Sequence, residues 1–440
     1  MEVSILPIYD VERELLSVQS LQTMWQLLRS DMPNAIDIGD IELQSQLRDS
    51  ISLVRLKSRD DLGPLIFKSN TENLRYLYHE LKNLVMLPSH SNIIGRPLYV
   101  VTKKCRWGGK IGVCGFILKY HNQGTLESLL CSHTLDRPLA MTSLCKWGCQ
   151  VISALIHLRE RGGMFYPDLR PDNVLISSLE EGNRAILIDL EQRGNWSSWT
   201  APEVRYLEYL EVLGSSVNVY DESLKSRCRR LLHMHCGSLT IDPDKPRKHY
   251  DNTSPGYSRA WISLNSLQQE SAMVYSLGKF LWCLFECVGD PSASTALWNS
   301  SPREVQSKIP GLEFPRFRHI NSNPLRQLIR ACTEGAPEWE GRVYPLVRVG
   351  HRLYSRPRVS AGIGDPGPQD DIDLASEASV TLKNWWQGEI ARMECFFDTV
   401  YRPQESKAQV EQAAVFPRPR LREVLTELEK ITPSLLSSAT

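Results

Sequence analysis

Carboxylates and one amide are concentrated in two short apolar segments of the chain. The segments read YPDLRPDNVLI at residues 166–176 and ILIDLE at residues 186–191. Asp168 is followed by Asn173 on a tight loop, and Asp189 lies at the end of the strand that returns. Such groups suit a divalent metal and phosphate, because Mg²⁺ prefers a few hard oxygen ligands and leaves its other positions to water and phosphates. We therefore interpret Asn173 and Asp189 as metal ligands, and Asp168 as the group that orients an attacking hydroxyl or accepts its proton.

Arg170 is the cation of the same loop, two residues after Asp168. It would support the negative charge of a transferring group. A simple Asp and Asn turn between buried strands is the alternative, because these side chains often hydrogen-bond their own backbone. Either Asp alone fits that turn better, whereas the whole string at this spacing favours a metal and phosphate site.

Apolar patterns around the two segments predict the elements that hold them. Short β-type runs predict antiparallel strands before the motifs, and apolar residues at i, i+3 and i+7 from Leu74 predict a long helix after those strands. The predicted strands cover residues 41–47, 51–56, 64–68, 97–101, 111–119, 174–176 and 185–190. The predicted helices cover residues 11–28, 70–87, 144–160, 271–287, 324–333, 374–400 and 421–430. Residues 242–256 and 355–373 are rich in Pro, Gly and Asp, which predicts loops.

Composition and charge exclude several classes of protein. Of the 440 residues, 42% are hydrophobic and 23% are charged, as in packed globular chains. Lys plus Arg and Asp plus Glu are equal at 51 each, so no bulk charge favours nucleic acid or an anionic membrane. The longest apolar stretch, Val274–Val288, is interrupted and too short for a membrane span. The 11 cysteines are odd in number and no signal-peptide pattern precedes them, so we expect an intracellular protein, cytoplasmic or nuclear, of unknown oligomeric state.

The order of the motifs resembles that of the eukaryotic protein-kinase-like superfamily, in a divergent form such as filamentous fungi carry. Residues 166–173 resemble the HRDLKPxN catalytic loop, residues 189–191 stand where DFG stands, and TAPE at residues 200–203 resembles the APE motif. Upstream, Lys68 resembles the strand lysine of those kinases. Glu80, on the following helix, resembles the ion-pair partner of that lysine.

Further matches follow in the same order. LKYH at residues 118–121 falls at the hinge, and VYSLG at residues 274–278 resembles the start of the central helix of the large lobe. An Arg-Pro pair that begins at Arg418 resembles the terminal RP segment. By this resemblance Arg418 is one candidate to pair with Glu203, and Arg342 is the other.

The resemblance implies an α+β fold of two lobes with ATP and Mg²⁺ in the cleft. Residues 38–121 would form a small β-rich N-lobe, after an N-terminal helical extension at residues 1–37. Residues 122–435 would form a larger, mainly helical C-lobe, with insertions at about residues 204–270 and 340–415.

The same resemblance implies transfer of the γ-phosphoryl group of ATP to a Ser or Thr hydroxyl of a protein. Lys68 would hold the α- and β-phosphates, and Glu80 would hold Lys68, since an unpaired buried ammonium is costly. Tyr120 and His121 would contact the cofactor, and the partner would be a protein substrate or a regulatory protein. For Lys68 taken alone, the alternative is a solvent-exposed lysine at the end of a strand.

Several positions depart from the pattern of that superfamily. No glycine occurs between Asp40 and Leu62, where a glycine-rich loop usually covers the phosphates, and Arg48 is a candidate to contact phosphate instead. Pro167 replaces the arginine of HRD, and Glu191 replaces the glycine of DFG, where it either disturbs the metal site or adds a ligand. Two other functions therefore stay open: a pseudokinase that acts as a scaffold or regulator, and a small-molecule phosphotransferase of the aminoglycoside or choline kinase type.

Overall fold

The protein, seen here in a computed structural model, has a mixed α+β architecture. The structure describes residues 8–69, 73–132, 139–195, 198–215, 222–236, 250–252, 256–291, 314–342, 344–349, 352–361, 370–400 and 417–437. Within these ranges the largest sheet is formed by the first 119 residues, and helices dominate the rest.

The main sheet combines antiparallel strand pairs with one parallel pair. Its strands are β1 (Asn34–Asp37), β2 (Ile41–Arg48), β3 (Ile51–Leu56), β4 (Leu65–Lys68), β5 (Tyr99–Lys104) and β6 (Ile111–Lys119). Their spatial order is β1-β5-β6-β4-β3-β2, and only β1 and β5 are parallel among these neighbours. Two separate hairpins join β7 (Val174–Ile176) to β8 (Ala185–Leu187) and β9 (Leu346–Val349) to β10 (Arg352–Ser355).

Helices form most of the remaining structure. They are α1 (Tyr9–Glu14), α2 (Val18–Trp25), α3 (Leu74–Met86), α4 (Leu126–Ser132), α5 (Met141–Gly162), α6 (Pro202–Ser215), α7 (Glu222–Cys236), α8 (Arg259–Ser263), α9 (Ser266–Glu286), α10 (Asn323–Cys332), α11 (Arg356–Ala361), α12 (Asp370–Val400) and α13 (Leu421–Ser437). Apolar residues of the sheet and of α3, α5, α9 and α13 share one continuous core. Among the described helices, none has the length and apolar character needed to cross a membrane.

Most predicted elements are confirmed in type and in approximate position. The three antiparallel strands are β2 to β4, and α3, α5, α9 and α13 cover the predicted helices nearest to the motifs. Residues 70–72 and most of the predicted loop at residues 242–256 lie outside the described ranges. The loop predicted at residues 355–373 is wrong at both ends. At its start α11 forms, because Val359 packs into a small apolar cluster with β9 and β10, and at its end α12 begins at Asp370.

The prediction of a single helix over residues 11–28 is also wrong. The chain forms α1 and α2 with extended residues between them, and Ser17 caps α2 by accepting a hydrogen bond from the N–H of Ser20. Tertiary contacts explain the break. The N–H of Leu16 donates to Tyr78 Oη in α3 at 3.0 Å, and the Leu16 carbonyl accepts from the N–H of Val113 in β6 at 2.8 Å. An unbroken helix would use these backbone groups internally and could not bind α3 and β6 in this way.

Candidate functional site

Lys68, the last residue of β4, lies among three carboxylates. Its Nζ is 2.5 Å from Glu80 of α3, 3.1 Å from Asp189 and 3.4 Å from Glu191. Only 9% of the Lys68 side chain and 2% of the Glu80 side chain are exposed. The three acids offer oxygen atoms that all lie within 4.8 Å of one another. One ammonium group therefore faces three acids in a largely buried place, which we call the Lys68 cluster.

Burial and charge act in opposite directions on the Lys68 ammonium. Burial lowers its pKa, but the carboxylates of Asp189, Glu80 and Glu191 outweigh burial and hold the pKa well above the ordinary lysine value. Burial raises the pKa of Glu80 and of Glu191, Lys68 opposes that shift, and the Asp189 carboxylate adds to it. Arg193 Nε is 3.3 Å from Glu191, so when all these groups are ionised three acids and two cations leave an excess of one negative charge. The carboxylate oxygens are the hard ligands that Mg²⁺ prefers, so these donors fit Mg²⁺.

Strand pairing holds Lys68 in the middle of the sheet. Lys68 pairs with Ile51 of β3 on one side and with Phe116 of β6 on the other. Gly115 allows β6 to approach closely, because a Cβ atom there would lie 2.5 Å from the Lys68 carbonyl oxygen. The position of the Lys68 backbone is therefore determined by hydrogen-bonded neighbours on both sides.

A buried polar network holds α3 against the segment that carries Asp189. Gln192 Oε1 lies 2.9 Å from His79 Nε2 and accepts a hydrogen bond from Asn83 Nδ2 at 3.3 Å. Gln192 Nε2 donates to the carbonyl oxygen of Phe165 at 2.7 Å, and Asn83 Nδ2 donates to the carbonyl oxygen of Leu190 at 2.8 Å. The turn of α3 that carries the glutamate is thereby tied to residues 190–192.

This network was not predictable from the sequence. His79 and Asn83 lie four residues apart on one face of α3, and both are buried. A buried polar side chain needs a partner, but other polar residues stand beside them in the sequence, so no local signal marks them as buried. Their partner Gln192 is 113 residues from His79 along the chain, and only folding identifies it.

Asp168, Arg170 and Asn173 meet on the loop that precedes β7. Asn173 Nδ2 donates to the Asp168 carbonyl oxygen at 2.9 Å and to Asp168 Oδ2 at 3.0 Å. Arg170 Nε is 3.4 Å from Asp168 Oδ1, and the same guanidinium donates two hydrogen bonds of 3.1 Å to Asp172. The loop thus brings together the three residues that the spacing predicted, and Asn173 Oδ1 is the amide atom that remains for a metal.

Asp168 is buried beside other charged groups. Burial raises the pKa of the Asp168 carboxyl to about 7, Arg170 opposes the shift, and the carboxylates of Asp189 and Asp172 add to it. In the described part of the chain, Asp168 Oδ1 is buried and accepts no hydrogen bond. A carboxyl whose pKa lies near neutral pH is well suited to accept a proton from a hydroxyl and release it again.

The backbone at Asp189 links the loop to the Lys68 cluster. Tyr166 Oη donates to the carbonyl oxygen of Ile188 at 2.5 Å, directly before Asp189. Asp189 itself has a φ of 63°, in the left-handed region that Asp tolerates better than most residues. Strand β8 ends at Leu187, earlier than the predicted strand, so Asp189 lies beyond the sheet edge in this constrained turn.

Tyr120 and His121 lie just beyond β6 and belong to neither group. His121 Nδ1 is 3.4 Å from Glu181 Oε2, and burial lowers the pKa of His121 despite that carboxylate. Within the described residues, no hydrogen bond or ion pair joins Tyr120 or His121 to the Lys68 cluster. Their contact with a cofactor stays a prediction.

Arg418, not Arg342, is the partner of Glu203. Arg418 Nη1 is 2.5 Å from Glu203 Oε1 and Nη2 is 3.2 Å from Oε2, with side-chain exposures of 0% and 1%. The remaining N–H groups of Arg418 donate to backbone carbonyl oxygens. Arg342 instead pairs with Glu340 at 2.7 Å.

No protein-family model matches the chain, and no curated protein matches it significantly. The functional assignment therefore depends on the residues themselves. The features that carry it are the Lys68 cluster and the adjoining loop of Asp168, Arg170 and Asn173.

Proposed function

We propose that this protein is a protein-kinase-like phosphotransferase of two lobes, which transfers the γ-phosphoryl group of ATP to a Ser or Thr hydroxyl of a protein. One observation carries the proposal: Lys68, Glu80 and Asp189 meet in one buried place although 121 residues separate Lys68 from Asp189. Of the three, Asp189 also acts on Asp168, because its carboxylate helps to raise the pKa of Asp168. The main sheet with α3 would be the small lobe, and the helices from α4 onward would form the large lobe.

The ionic groups have separate tasks in this proposal. Lys68 binds the α- and β-phosphates, and Glu80 holds the Lys68 ammonium in place. Asp189 and Asn173 hold Mg²⁺, which when bound neutralises charge that develops on the phosphates. Arg170 supports the loop by holding its carboxylates, and Tyr120 and His121 line the nucleotide side of the cleft.

Asp168 acts on the acceptor hydroxyl. It orients the hydroxyl and accepts its proton as the acceptor oxygen bonds to the γ-phosphorus. The bond between that phosphorus and the β,γ-bridging oxygen breaks, and its electron pair leaves with ADP. The pKa of about 7 allows Asp168 to be a carboxylate before the step and to hold the proton after it.

The segment before α6 is anchored to the helices around it. Ser276 and Lys279 of α9 donate hydrogen bonds to the carbonyl oxygens of Trp199 and Ser198, at 3.1 and 2.5 Å. The buried pair of Glu203 with Arg418 fixes the start of α6. These contacts bury and fix the segment. A protein acceptor is favoured over a small molecule because TAPE at residues 200–203 and the Arg-Pro pair at Arg418 resemble the large lobe of protein kinases.

A pseudokinase is the second candidate, and two observations favour it. Glu191 lies 3.4 Å from Lys68 Nζ and uses part of the hydrogen-bonding capacity that phosphates would need. The turn between β2 and β3 also has no glycine to bring backbone N–H groups close to phosphate. Such a protein would bind a regulatory partner and transfer no phosphate.

Radiolabelled phosphate transfer from ATP tests these proposals. The acceptors are generic proteins, the protein itself, and a panel of sugars and amino alcohols. We expect wild type to label protein, and Asp168→Ala to lose about 10²- to 10⁴-fold in rate. Asp61→Ala is the matched control, because Asp61 is exposed and pairs only with the exposed Arg59 among the described residues.

Other outcomes distinguish the alternatives. Label on sugars or amino alcohols alone would replace the protein-kinase-like activity with a small-molecule phosphotransferase. Mg²⁺-dependent binding of ATP without any transfer would support the pseudokinase. Equal labelling by wild type and Asp168→Ala would remove Asp168 from its role.

A further inference from the structure

The turn between β2 and β3 has no backbone geometry suited to phosphate. Anion binding by successive N–H groups needs a left-handed residue beside a right-handed one, which glycine favours. Residues 48–50 read Arg-Asp-Ser, and none of them has a positive φ. The Gln46 side chain spans the turn and donates to the carbonyl oxygens of Arg48 and Asp49, at 2.6 and 3.2 Å. The turn is therefore ordered without glycine, and an anion there must be bound by a side chain.

Arg48 is the cation that this turn brings to the cleft. Arg48 is paired with Ile51 across β2 and β3, and Ile51 is paired with Lys68 across β3 and β4. Two strand spacings place the backbones of Arg48 and Lys68 about 10 Å apart at the same level of the sheet. On the opposite side, Arg48 Nη1 is 3.8 Å from Asp172 Oδ2, in the loop that carries Asp168. The guanidinium thus bridges the end of the sheet and that loop.

The other cations of this region have stronger partners. Lys68 is held by three carboxylates, and Arg193 Nε is 3.3 Å from Glu191. Arg170 holds Asp172 through two hydrogen bonds of 3.1 Å. Asp172 therefore has a closer cation in Arg170, and its 3.8 Å contact with Arg48 is weak because 57% of the Arg48 side chain is exposed.

We propose that the Arg48 guanidinium binds the phosphates of a nucleotide in the cleft. It exchanges a weak contact with Asp172 for charge-assisted hydrogen bonds, which the planar guanidinium makes well with phosphate oxygens. The inference rests on the proposed function and deepens it, because it assigns to one side chain the task that backbone amides perform in a glycine-rich loop. Lys68 would hold the phosphates at the inner end and Arg48 at the outer end.

Calorimetric titration of the full chain with MgATP, and separately with adenosine, tests this assignment. We expect Arg48→Ala to weaken MgATP binding about tenfold and to leave adenosine binding unchanged, because only the triphosphate loses a partner. The affinity of Arg48→Lys for MgATP should lie between those of wild type and Arg48→Ala, because lysine keeps the positive charge but lacks the planar pair of N–H donors. Arg59→Ala is the matched control, because Arg59 follows β3 and is similarly exposed, at 51% against 57%.

The outcomes separate this inference from the proposed function. If wild type binds MgATP and Arg48→Ala binds it equally well, the assignment of Arg48 fails and the proposed function stands. Tighter binding of both ligands by Arg48→Ala would also overturn the assignment of Arg48. It would show that the contact with Asp172 hinders entry of ligands into the cleft. If wild type binds neither ligand, the nucleotide site itself fails and the inference fails with it.

Discussion

Two buried ionic groups of this protein differ in the balance of their charges. At Arg418 one guanidinium faces one carboxylate, Glu203, and backbone carbonyl oxygens accept its other N–H groups. In the Lys68 cluster one ammonium faces three carboxylates. The first group is electrically neutral and well hydrogen-bonded, whereas the second has an excess of negative charge.

This difference distinguishes a structural pair from a binding site. Removing one partner of a matched buried pair leaves an uncompensated charge, which is strongly destabilising. Unmatched buried carboxylates lower stability by themselves, and acids with perturbed pKa values are typical of functional sites. We therefore expect the same substitution, Glu to Gln, to destabilise the protein at Glu203 and to stabilise it at Glu191.

Glu203→Gln should have the largest effect. We expect the free energy of unfolding to fall by about 3–5 kcal/mol, because Arg418 keeps a buried positive charge without a counter-ion. Urea denaturation measures the change. The control is Glu160→Gln, whose exposed pair with Arg422 should contribute less than about 1 kcal/mol. Equal decreases in the free energy of unfolding would show that the buried pair of Glu203 and Arg418 stabilises the protein no more than a surface pair does.

Asp168→Asn should have the next largest effect, with the opposite sign. We expect the free energy of unfolding at pH 8 to rise by up to about 4 kcal/mol, because the variant no longer ionises a buried carboxyl. The pKa of Asp168 is raised from its ordinary value of 3.8 to about 7. Urea denaturation at several pH values, with Asp61→Asn as an exposed control, measures the change.

The pH dependence of that effect follows from the direction of the shift. Between about pH 4 and pH 7 the folded protein binds a proton at Asp168 that the unfolded chain has lost, so wild-type stability falls as pH rises through this range. The difference in free energy of unfolding between Asp168→Asn and wild type should therefore reach its full size at pH 8 and be absent near pH 4. A difference that does not change with pH would contradict the raised pKa.

Magnesium should stabilise the protein by a smaller amount. At a concentration about tenfold above the dissociation constant, Mg²⁺ should raise the free energy of unfolding by about 1.4 kcal/mol, since it binds the folded state alone. Asp189→Asn should remove this gain. Thermal unfolding in MgCl₂ and in NaCl of equal ionic strength separates binding from screening, and equal gains in the two salts would argue against a cation site.

Glu191→Gln should have the smallest effect. We expect a gain of about 1 kcal/mol at pH 8, because burial raises the pKa of Glu191, and its second cation, Arg193, is half exposed and stays solvated without it. Lys68 keeps Glu80 and Asp189 as partners. A loss of stability instead would mean that Glu191 is a required partner of Lys68, and that the Lys68 cluster is as structurally matched as the Arg418 pair.

Local patterns made much of the fold and part of the site predictable. Strands β2 to β4, helix α3 and the loop of Asp168 and Asn173 follow from periodicity and from partners only five residues apart. The break between α1 and α2 was not predictable, because Leu16 leaves the helix to bond residues in α3 and β6. Gln192 was missed for the same reason, since its partners lie on another element.

By itself the sequence determined which residue types were available and where the local elements form. Only the tertiary structure decided that Glu191 joins Glu80 and Asp189 around Lys68, and that Arg418 pairs with Glu203 across 215 residues. The physical reason is that burial of apolar faces brings strands and helices together, and only then do distance and lost solvent determine which charges meet. Whether a buried charge is matched is therefore a property of the folded chain.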